Sequence, residues 1–290
     1  MTADRPTSQR RRPGEGAVGI FDSGIGGLTV TKAIRQALPL ERLLYFGDGA
    51  HVPYGPRPAE EVLTFGAAIT EFLLAQDCKL VVIACNTASA AALAPLRERF
   101  PHVPFVGMEP AVKPAAEHTR TGAVGVIATV ATVQSAVFES VVERFAQGVE
   151  VIRQACPGLV KQIEDGAFDT PETEAMLRGW LEPMLAHDID ALVLGCTHYP
   201  IVRPLIERIV GPGVRVIDPA PAIARRVDQV LRDNGTTAPA GAQGGLACWT
   251  SGAVAPFRAM LDHLGLEADV VQQACWQGDT RVTPCTSPRI

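Results

Sequence analysis

Apolar runs that end in small or polar residues recur along the chain and predict alternating strands and helices. Buried strands are predicted at 17–21, 43–46, 80–84 and 103–106. Helical segments are predicted between them, at 28–38, 62–75 and 88–100. Strands that alternate with helices are typical of α/β folds with parallel sheets. The first part of the chain therefore predicts one small parallel sheet with helices on both faces.

The same pattern begins again after residue 120. Residues 123–129 align with 17–23 at an offset of 106, and residues 192–196 align with 81–85 at an offset of 111. Near-constant offsets indicate a repeated unit. We therefore predict an α/β fold with two pseudo-symmetric lobes, each a small parallel-sheet βαβ sandwich, and an active site in the cleft between them.

The segments after residue 217 have no partner in the second copy of the repeat. They include a predicted helix at 222–234, a strand at 246–250 and a helix at 254–264. We expect the chain to return to the first lobe, which makes that lobe discontinuous. The predicted boundaries are a disordered polar tail at 1–16, a first lobe at 17–108 plus 218–275, a second lobe at 109–217, and an irregular C-terminal tail at 276–290.

A cysteine follows each of two matching strands. Cys85 follows the strand at 80–84, and Cys196 ends the strand at 192–196. Ligands of open parallel sheets bind at the carboxyl ends of strands, so two facing lobes place the two thiols on opposite sides of one ligand. A free thiol titrates near ~8.5, so each cysteine can take or give a proton near neutrality. This arrangement indicates a two-base inversion of a carbon centre.

The predicted helpers of the two thiols differ. Asp22 and Ser23 lie at the end of the first strand, beside Cys85 if neighbouring strands are adjacent in space. His198 comes two residues after Cys196, where a charged imidazole favours a thiolate. The turn after Asp22 contains three glycines without nucleotide-binding spacing, and with its carboxylate it suits a small ligand carrying both charges. A helix cap is the alternative role of Asp22.

Three other functions remain open from the residues alone: a metal site, acyl transfer, and ligand binding without catalysis. Cys85, Cys196 and His198 could be three metal ligands, although the CxH spacing is unusual for zinc. A Cys–His pair could perform nucleophilic acyl transfer. A two-lobed amino-acid-binding protein without catalysis has the same outline, with the thiols as packing residues.

Composition narrows the class of protein. Hydrophobic residues make up 47% of the chain and charged residues 20%, the net charge is −5 and the pI is about 5.7, which gives no reason to expect nucleic acid as a partner. No run of 18 apolar residues indicates a membrane span, and the arginine-rich start is unlike a secretory signal, so we expect a cytoplasmic protein.

The chain has seven cysteines, which is an odd number, and no CxxC pair. We therefore expect no disulfide framework and treat Cys78, Cys248, Cys275 and Cys285 as buried apolar residues.

Four motifs together resemble glutamate racemases of the aspartate/glutamate racemase superfamily. They are residues 19–28 (GIFDSGIGGL), 45–48 with 53–55 (YFGD and PYG), 84–88 (ACNTA) and 195–200 (GCTHYP). The resemblance implies interconversion of L- and D-glutamate without a cofactor or a metal, and a supply of D-glutamate for peptidoglycan. It also allows a homodimer. An aspartate racemase or another racemase of the superfamily is the nearest alternative.

The resemblance also implies roles for individual residues. Cys85 would act on the D-enantiomer and Cys196 on the L-enantiomer, with Asp22, Glu164 and His198 as auxiliaries. The residues implied in substrate binding are Asp22, Ser23, Tyr54, Gly55, Asn86, Thr87, Thr197 and His198.

One motif departs from the family pattern. Related enzymes usually have a small hydroxyl residue and an arginine where this chain has Gly49 and His51. We expect the shape or charge of this loop to differ, while the motif residues Asp48, Pro53, Tyr54 and Gly55 remain.

Overall fold

The computed structural model describes residues 14–285, in which strands and helices alternate. The strands are β1 (Ala17–Asp22), β2 (Arg42–Gly47), β3 (Cys78–Ile83), β4 (Phe105–Gly107), β5 (Ala123–Ala128), β6 (Glu150–Ala155), β7 (Ala191–Gly195), β8 (Arg215–Ile217), β9 (Gly245–Thr250), β10 (Val270–Trp276) and β11 (Val282–Pro284). The helices are α1 (Leu28–Ala37), α2 (Ala59–Ala75), α3 (Asn86–Arg99), α4 (Val112–His118), α5 (Val130–Val133), α6 (Ala136–Phe145), α7 (Leu159–Glu164), α8 (Pro171–Leu185), α9 (Arg203–Val210), α10 (Ala220–Asp233) and α11 (Val254–Leu264). None of these helices combines the length and apolar character that a membrane span requires.

The strands form two sheets, and four strands of the larger sheet have the same order as the four strands of the smaller. The larger sheet has the order β11-β10-β9-β2-β1-β3-β4, and the smaller has the order β6-β5-β7-β8. The four strands β2-β1-β3-β4 correspond one by one to β6-β5-β7-β8, and all pairs within both sets are parallel. The predicted pair of pseudo-symmetric α/β lobes is confirmed.

The central strands are apolar on both faces because helices cover both sides of each sheet. Every residue of β1, β3, β5 and β7 is buried. One apolar cluster runs from the first lobe into the second and includes Ile25, Leu28, Leu159 and Ile163. The two lobes are therefore packed against each other directly near the glycine-rich turn.

The chain after the second lobe adds strands to the first sheet. β9 pairs with β2, and β10 pairs with β9 in parallel. β11 pairs antiparallel with β10, so the prediction of an irregular tail from residue 276 is wrong for Trp276 and for residues 282–284. β11 follows β10 directly in the chain but has only three residues, too few for an apolar pattern to indicate a strand. Residues 286–290 of the predicted tail lie outside the described residues.

A disulfide closes the terminal hairpin. Cys275 and Cys285 are bonded with their Cα atoms 5.0 Å apart. The expectation that both are buried apolar thiols is wrong, because the antiparallel pairing of β10 and β11 brings them together at the surface. Cys78 and Cys248 are buried, as predicted.

The start of the described chain is tied to the first lobe. Residues 1–13 of the predicted tail lie outside the described residues. Gly14 is buried, and its carbonyl accepts a hydrogen bond from Lys79 Nζ at 3.0 Å. This bond gives the buried Lys79 cation an acceptor and holds Gly14 in place. The predicted disordered tail therefore does not extend over residues 14–16.

A buried ion pair holds the same end of the first lobe. Lys79 Nζ lies 2.6 Å from Glu41 Oε2, and both side chains are almost fully buried. The other oxygen of Glu41 accepts the N–H of Ala238 at 2.7 Å. The pair thus connects β3, the approach to β2 and the loop before β9.

Replacing Lys79 by methionine should destabilise the protein by about 3–5 kcal/mol, because it leaves the Glu41 carboxylate buried without a counter-charge. Urea unfolding followed by circular dichroism measures this change. The double variant Glu41→Gln/Lys79→Met should recover part of the loss.

The matched control is Arg99→Met, which removes a 2.6 Å pair with Glu71 in which both side chains are exposed. This variant should change the unfolding midpoint little, because exposed pairs contribute little to stability. Equal effects of Lys79→Met and Arg99→Met would contradict the role assigned to the buried pair.

Candidate active site

Cys85 caps the helix that follows it. α3 begins at Asn86 rather than at the predicted residue 88, because the Cys85 thiol accepts the N–H of Ala88 at 3.4 Å and closes the first turn. The carbonyl of Cys85 accepts the N–H of Ser89. Ser23 lies nearby, with its Oγ 4.0 Å from the sulfur. The thiol is thus held at a helix N-terminus, at the carboxyl end of a central strand.

The same helix start leaves polar groups unused. The N–H groups of Asn86 and Thr87 belong to the first turn of α3, where no intrahelical acceptor exists. Among the described residues, the buried amide of Asn86 has no hydrogen-bond partner for either its nitrogen or its oxygen. Both residues line the cavity described below. A helix N-terminus with free donors favours an anionic ligand.

Cys196 begins a chain of contacts in the second lobe. Its sulfur lies 3.8 Å from Nδ1 of His198, and Nε2 of His198 lies 2.6 Å from Glu164 Oε1. Glu164 is the last residue of α7, a helix that the apolar pattern did not predict. The structure therefore brings three of the predicted residues, Cys196, His198 and Glu164, into one line.

The glycine-rich turn after β1 lies against this line from the other lobe. A Cβ at Gly24 would stand 1.9 Å from Glu164 Oε1, and one at Gly26 would stand 2.4 Å from His198 Nδ1. The N–H of Ile25 donates to Glu164 Oε1 at 2.9 Å. The glycines thus allow close approach of the backbone to protein side chains. The sequence had suggested that the turn itself suits a small ligand, but its N–H groups donate to protein carboxylates.

Asp22 is one of these carboxylates. It is fully buried, and its Oδ2 accepts the N–H of Gly27 at 2.9 Å and that of Gly24 at 3.3 Å. Its Oδ1 lies 3.5 Å from the hydroxyl of Thr197. Asp22 therefore stabilises the turn before α1 without being its N-cap, which is Gly27, and stands behind the cavity wall rather than on it. A direct role in substrate binding stays a prediction.

One cavity lies between the strand ends of the two lobes. It contains about 270 Å³ of space free of protein atoms, its open mouth included. Both thiols line it, although each is only about a twentieth exposed (5% and 6%). The lining residues are Ser23, Pro53, Tyr54, Gly55, Cys85, Asn86, Thr87, Thr129, Val160, Cys196, Thr197 and His198.

Pro53, Thr129 and Val160 line the cavity but were not among the predicted site residues. Thr129 carries a hydroxyl 2.9 Å from that of Thr87, which joins the two lobes across the cavity. The sequence held a signal for it, because Thr129 is the counterpart of Ser23 in the repeat. Val160 had no such signal, because it belongs to α7, a helix that the apolar pattern did not predict.

The pKa values of Cys85 and His198, on opposite sides of the cavity, are shifted for different reasons. Burial raises the pKa of the Cys85 thiol well above its ordinary range, and the nearby Asp22 carboxylate raises it further against the N–H of Ala88. Burial alone would lower the pKa of His198, but its contacts with Cys196 and Glu164 outweigh this and leave the pKa well above 6.5. At neutral pH, Cys85 is a thiol and His198 an imidazolium.

The charge of Asp22 acts on both Cys85 and His198, on the two sides of the cavity. Burial raises the pKa of Asp22 above 3.8, while the charge of His198 and the N–H of Gly27 lower it. The negative charge of Glu164 raises the pKa of Asp22 further. A carboxylate in this position opposes ionisation of Cys85 and supports the charge on His198.

Tyr54 contributes its ring to the cavity wall but not a free hydroxyl. Its OH donates to Asp48 Oδ2 at 2.6 Å. His51, which departs from the family pattern, places Nδ1 2.9 Å from the same oxygen. Gly55 follows Tyr54 on the wall and faces Thr129 of the second lobe.

The proposed metal ligands do not gather as a metal site does in the part of the chain that the structure describes. Among residues 14–285, no three His, Cys, Asp or Glu side chains are arranged to hold one ion.

Known proteins resemble this chain in sequence and in structure. Residues 19–227 match the family Asp/Glu/Hydantoin racemase. A glutamate racemase of a Roseiflexus species is 49% identical over 269 residues, which cover 92% of this chain and 97% of the relative.

Two solved structures share the fold. Escherichia coli glutamate racemase in complex with L-glutamate and the activator UDP-MurNAc-Ala is 30% identical, with a TM-score of 0.79, over 91% of this chain and 100% of that one. Francisella tularensis glutamate racemase in complex with D-glutamate is 31% identical, with a TM-score of 0.77, over 89% and 97%. On this evidence the chain belongs to the Asp/Glu/hydantoin racemase family.

Proposed function

We propose that this protein is a glutamate racemase that interconverts L- and D-glutamate by a two-base mechanism. One observation carries the proposal: Cys85 and Cys196 follow topologically equivalent strands, β3 and β7, and line one cavity. Two acid/base groups on opposite sides of one carbon can exchange its proton with inversion. The family membership and the similarity to glutamate racemases support the choice of substrate.

Donors at both strand ends suit a substrate with two carboxylates. Asn86 and Thr87 offer the free N–H groups of the first turn of α3. Thr197 and His198 occupy the matching positions after β7, at the start of a short 3₁₀ helix. The unpartnered Asn86 amide adds a donor and an acceptor. Backbone dipoles of this kind hold carboxylates without an arginine in the cavity wall.

The protonation states favour a definite first step from the L-enantiomer. The His198 imidazolium stabilises an anion at the Cys196 sulfur, which takes the α-proton of L-glutamate. The protonated Cys85 then donates its proton to the opposite face, and the C–H bond of D-glutamate forms. The return reaction starts with the proton on the Cys196 side and a thiolate at Cys85. No cofactor enters this scheme.

We further propose that the enzyme acts in the cytoplasm and supplies D-glutamate for peptidoglycan. The support for this role is the resemblance to bacterial glutamate racemases. Homodimer formation is proposed as well, and it rests on membership of the racemase family alone.

Incubation with enantiopure glutamate in heavy water should abolish optical activity and place deuterium on the α-carbon. Cys85→Ser and Cys196→Ser should each slow racemisation by about 10²–10⁴-fold, because each removes one of the two proton carriers. Polarimetry and mass spectrometry measure the two effects. Cys248→Ser removes a buried thiol outside the cavity and is the control.

The same assay separates the competing functions. An aspartate racemase would act faster on aspartate than on glutamate. A binding protein would retain glutamate without exchange of its α-proton. Full activity of either Cys85→Ser or Cys196→Ser would rule out the two-base scheme.

Glu164→Gln should move the alkaline decline of kcat/KM for L-glutamate to lower pH, by about 1 unit or more. The amide removes the negative charge beside His198, so the pKa of His198 falls and the imidazolium is lost earlier as the pH rises. Initial rates across a pH series measure the shift.

Asp165→Asn is the matched control for this experiment. Asp165 is the next residue, is exposed and pairs with Lys161, and its substitution makes the same change of charge. Its pH profile should follow that of the wild type. An unshifted profile for Glu164→Gln would show that the His198 charge does not limit the reaction.

A further inference from the structure

Asp48 is a buried carboxylate on which four side-chain groups converge. It follows β2 and is fully buried. Its Oδ1 accepts the hydroxyl of Ser251 at 2.7 Å and the indole N–H of Trp276 at 2.8 Å. Its Oδ2 faces His51 Nδ1 at 2.9 Å and accepts the Tyr54 hydroxyl at 2.6 Å. Each oxygen thus has two partners, which is how a protein accommodates a buried charge.

The four partners come from three separate segments of the chain. His51 and Tyr54 belong to the loop after β2, Ser251 follows β9, and Trp276 ends β10. The carboxylate therefore joins this loop to β9 and β10, which the returning chain adds to the first sheet. The partner most distant in sequence is Trp276, 228 residues from Asp48.

Aromatic contacts hold the loop at the same place. The His51 ring stacks on Phe65 at 4.0 Å and meets the edge of Trp276 at 4.7 Å. The Phe65 and Trp276 rings also meet edge to face at 5.6 Å. Arg57 donates to the His51 carbonyl at 2.7 Å. His51 is thus packed between α2 and β10.

This loop forms one wall of the cavity. Pro53, Tyr54 and Gly55 line it together with both thiols, whereas Asp48 and Trp276 do not. Because the Tyr54 hydroxyl is bound to Asp48, the position of the Tyr54 ring and of the next backbone group depends on that carboxylate. A small displacement of a wall alters how well a substrate is held.

We propose that Asp48 and Trp276 are positioning residues for the racemisation, which hold the wall formed by Tyr54 and Gly55 in its substrate-binding place. This inference rests on the proposed function. Trp276 acts through Asp48 and touches neither substrate nor thiol. The strand β10 is thereby part of what shapes the site, although it belongs to neither copy of the repeat.

Trp276→Phe tests the inference, because it removes the indole N–H and keeps an aromatic edge against His51 and Phe65. KM should rise about tenfold for both enantiomers, the order expected for a lost hydrogen bond to a charged group. The value of kcat should stay within about threefold of the wild type, because the proton carriers are untouched. A change confined to stability would leave KM unchanged in a folded sample.

Trp249→Phe is the matched control. Trp249 lies on the neighbouring strand β9 and packs edge to face on Phe72 at 5.2 Å, outside the cavity wall. This variant loses the same atoms and should retain the wild-type KM. A double-variant cycle adds a second test: Tyr54→Phe and Trp276→Phe should raise KM less than additively, because both act through Asp48.

A readout without catalysis separates this inference from the proposed function. Alkylation by iodoacetamide, mapped by mass spectrometry, should be several-fold faster at Cys85 and Cys196 in Trp276→Phe than in the wild type or in Trp249→Phe. Cys248 should stay unreacted in all three and reports that the fold is intact.

A wild-type protein that does not racemise glutamate would end the proposed function, and the alkylation rates would still decide the role of Trp276. An unchanged KM in an active Trp276→Phe variant would overturn the positioning role. Alkylation rates equal to those of the wild type would overturn it as well.

Discussion

The close approach of the glycine-rich turn to the second lobe is the constraint on which the site depends. A side chain at Gly24 or Gly26 would displace Glu164 or His198 of the second lobe, which occupy that space. The turn also donates the N–H of Ile25 to Glu164, so backbone of one lobe completes a side-chain chain that begins at Cys196. Apolar packing around Ile25 and Ile163 surrounds these polar contacts. The two lobes are therefore joined at the point where the chemistry takes place.

The two lobes have the same strand order, but the surroundings of Cys85 and Cys196 differ. Cys85 is a helix cap near a buried carboxylate, and both burial and that charge raise its pKa. Cys196 has instead an imidazolium that Glu164 supports. A chiral centre presents different groups to its two faces, so the reaction needs two proton carriers but not two identical environments. The fold provides the matching positions, and the local neighbours provide the difference between them.

Much of this arrangement could be predicted from the sequence, for particular physical reasons. Buried parallel strands are apolar throughout and end in small or polar residues, so β3 and β7 and the cysteines after them were visible as a repeat. Glu164 was reached only through the family resemblance, because the six-residue helix that carries it has too short an apolar pattern. β11 and the Cys275–Cys285 bond were missed because β11 has only three residues, too few for an apolar pattern to indicate a strand that pairs with β10. The function of Asp48 was invisible because two of its partners, Ser251 and Trp276, lie 203 and 228 residues away in the chain.

The sequence by itself determined the α/β class, the repeat, and the residues that stand at the carboxyl ends of the strands. These follow from hydrophobic periodicity and from residue type, which act over a few neighbouring positions. The tertiary structure alone decided which polar groups are already used within the protein. It assigned the N–H groups of the glycine turn to Asp22 and Glu164, and the Tyr54 hydroxyl to Asp48. It also left the Asn86 amide unpartnered among the described residues, facing the cavity. The contact of Ile25 with Glu164 joins residues far apart in the chain, and even the closer pairs depend on the folded turn or loop that brings their atoms within hydrogen-bond distance.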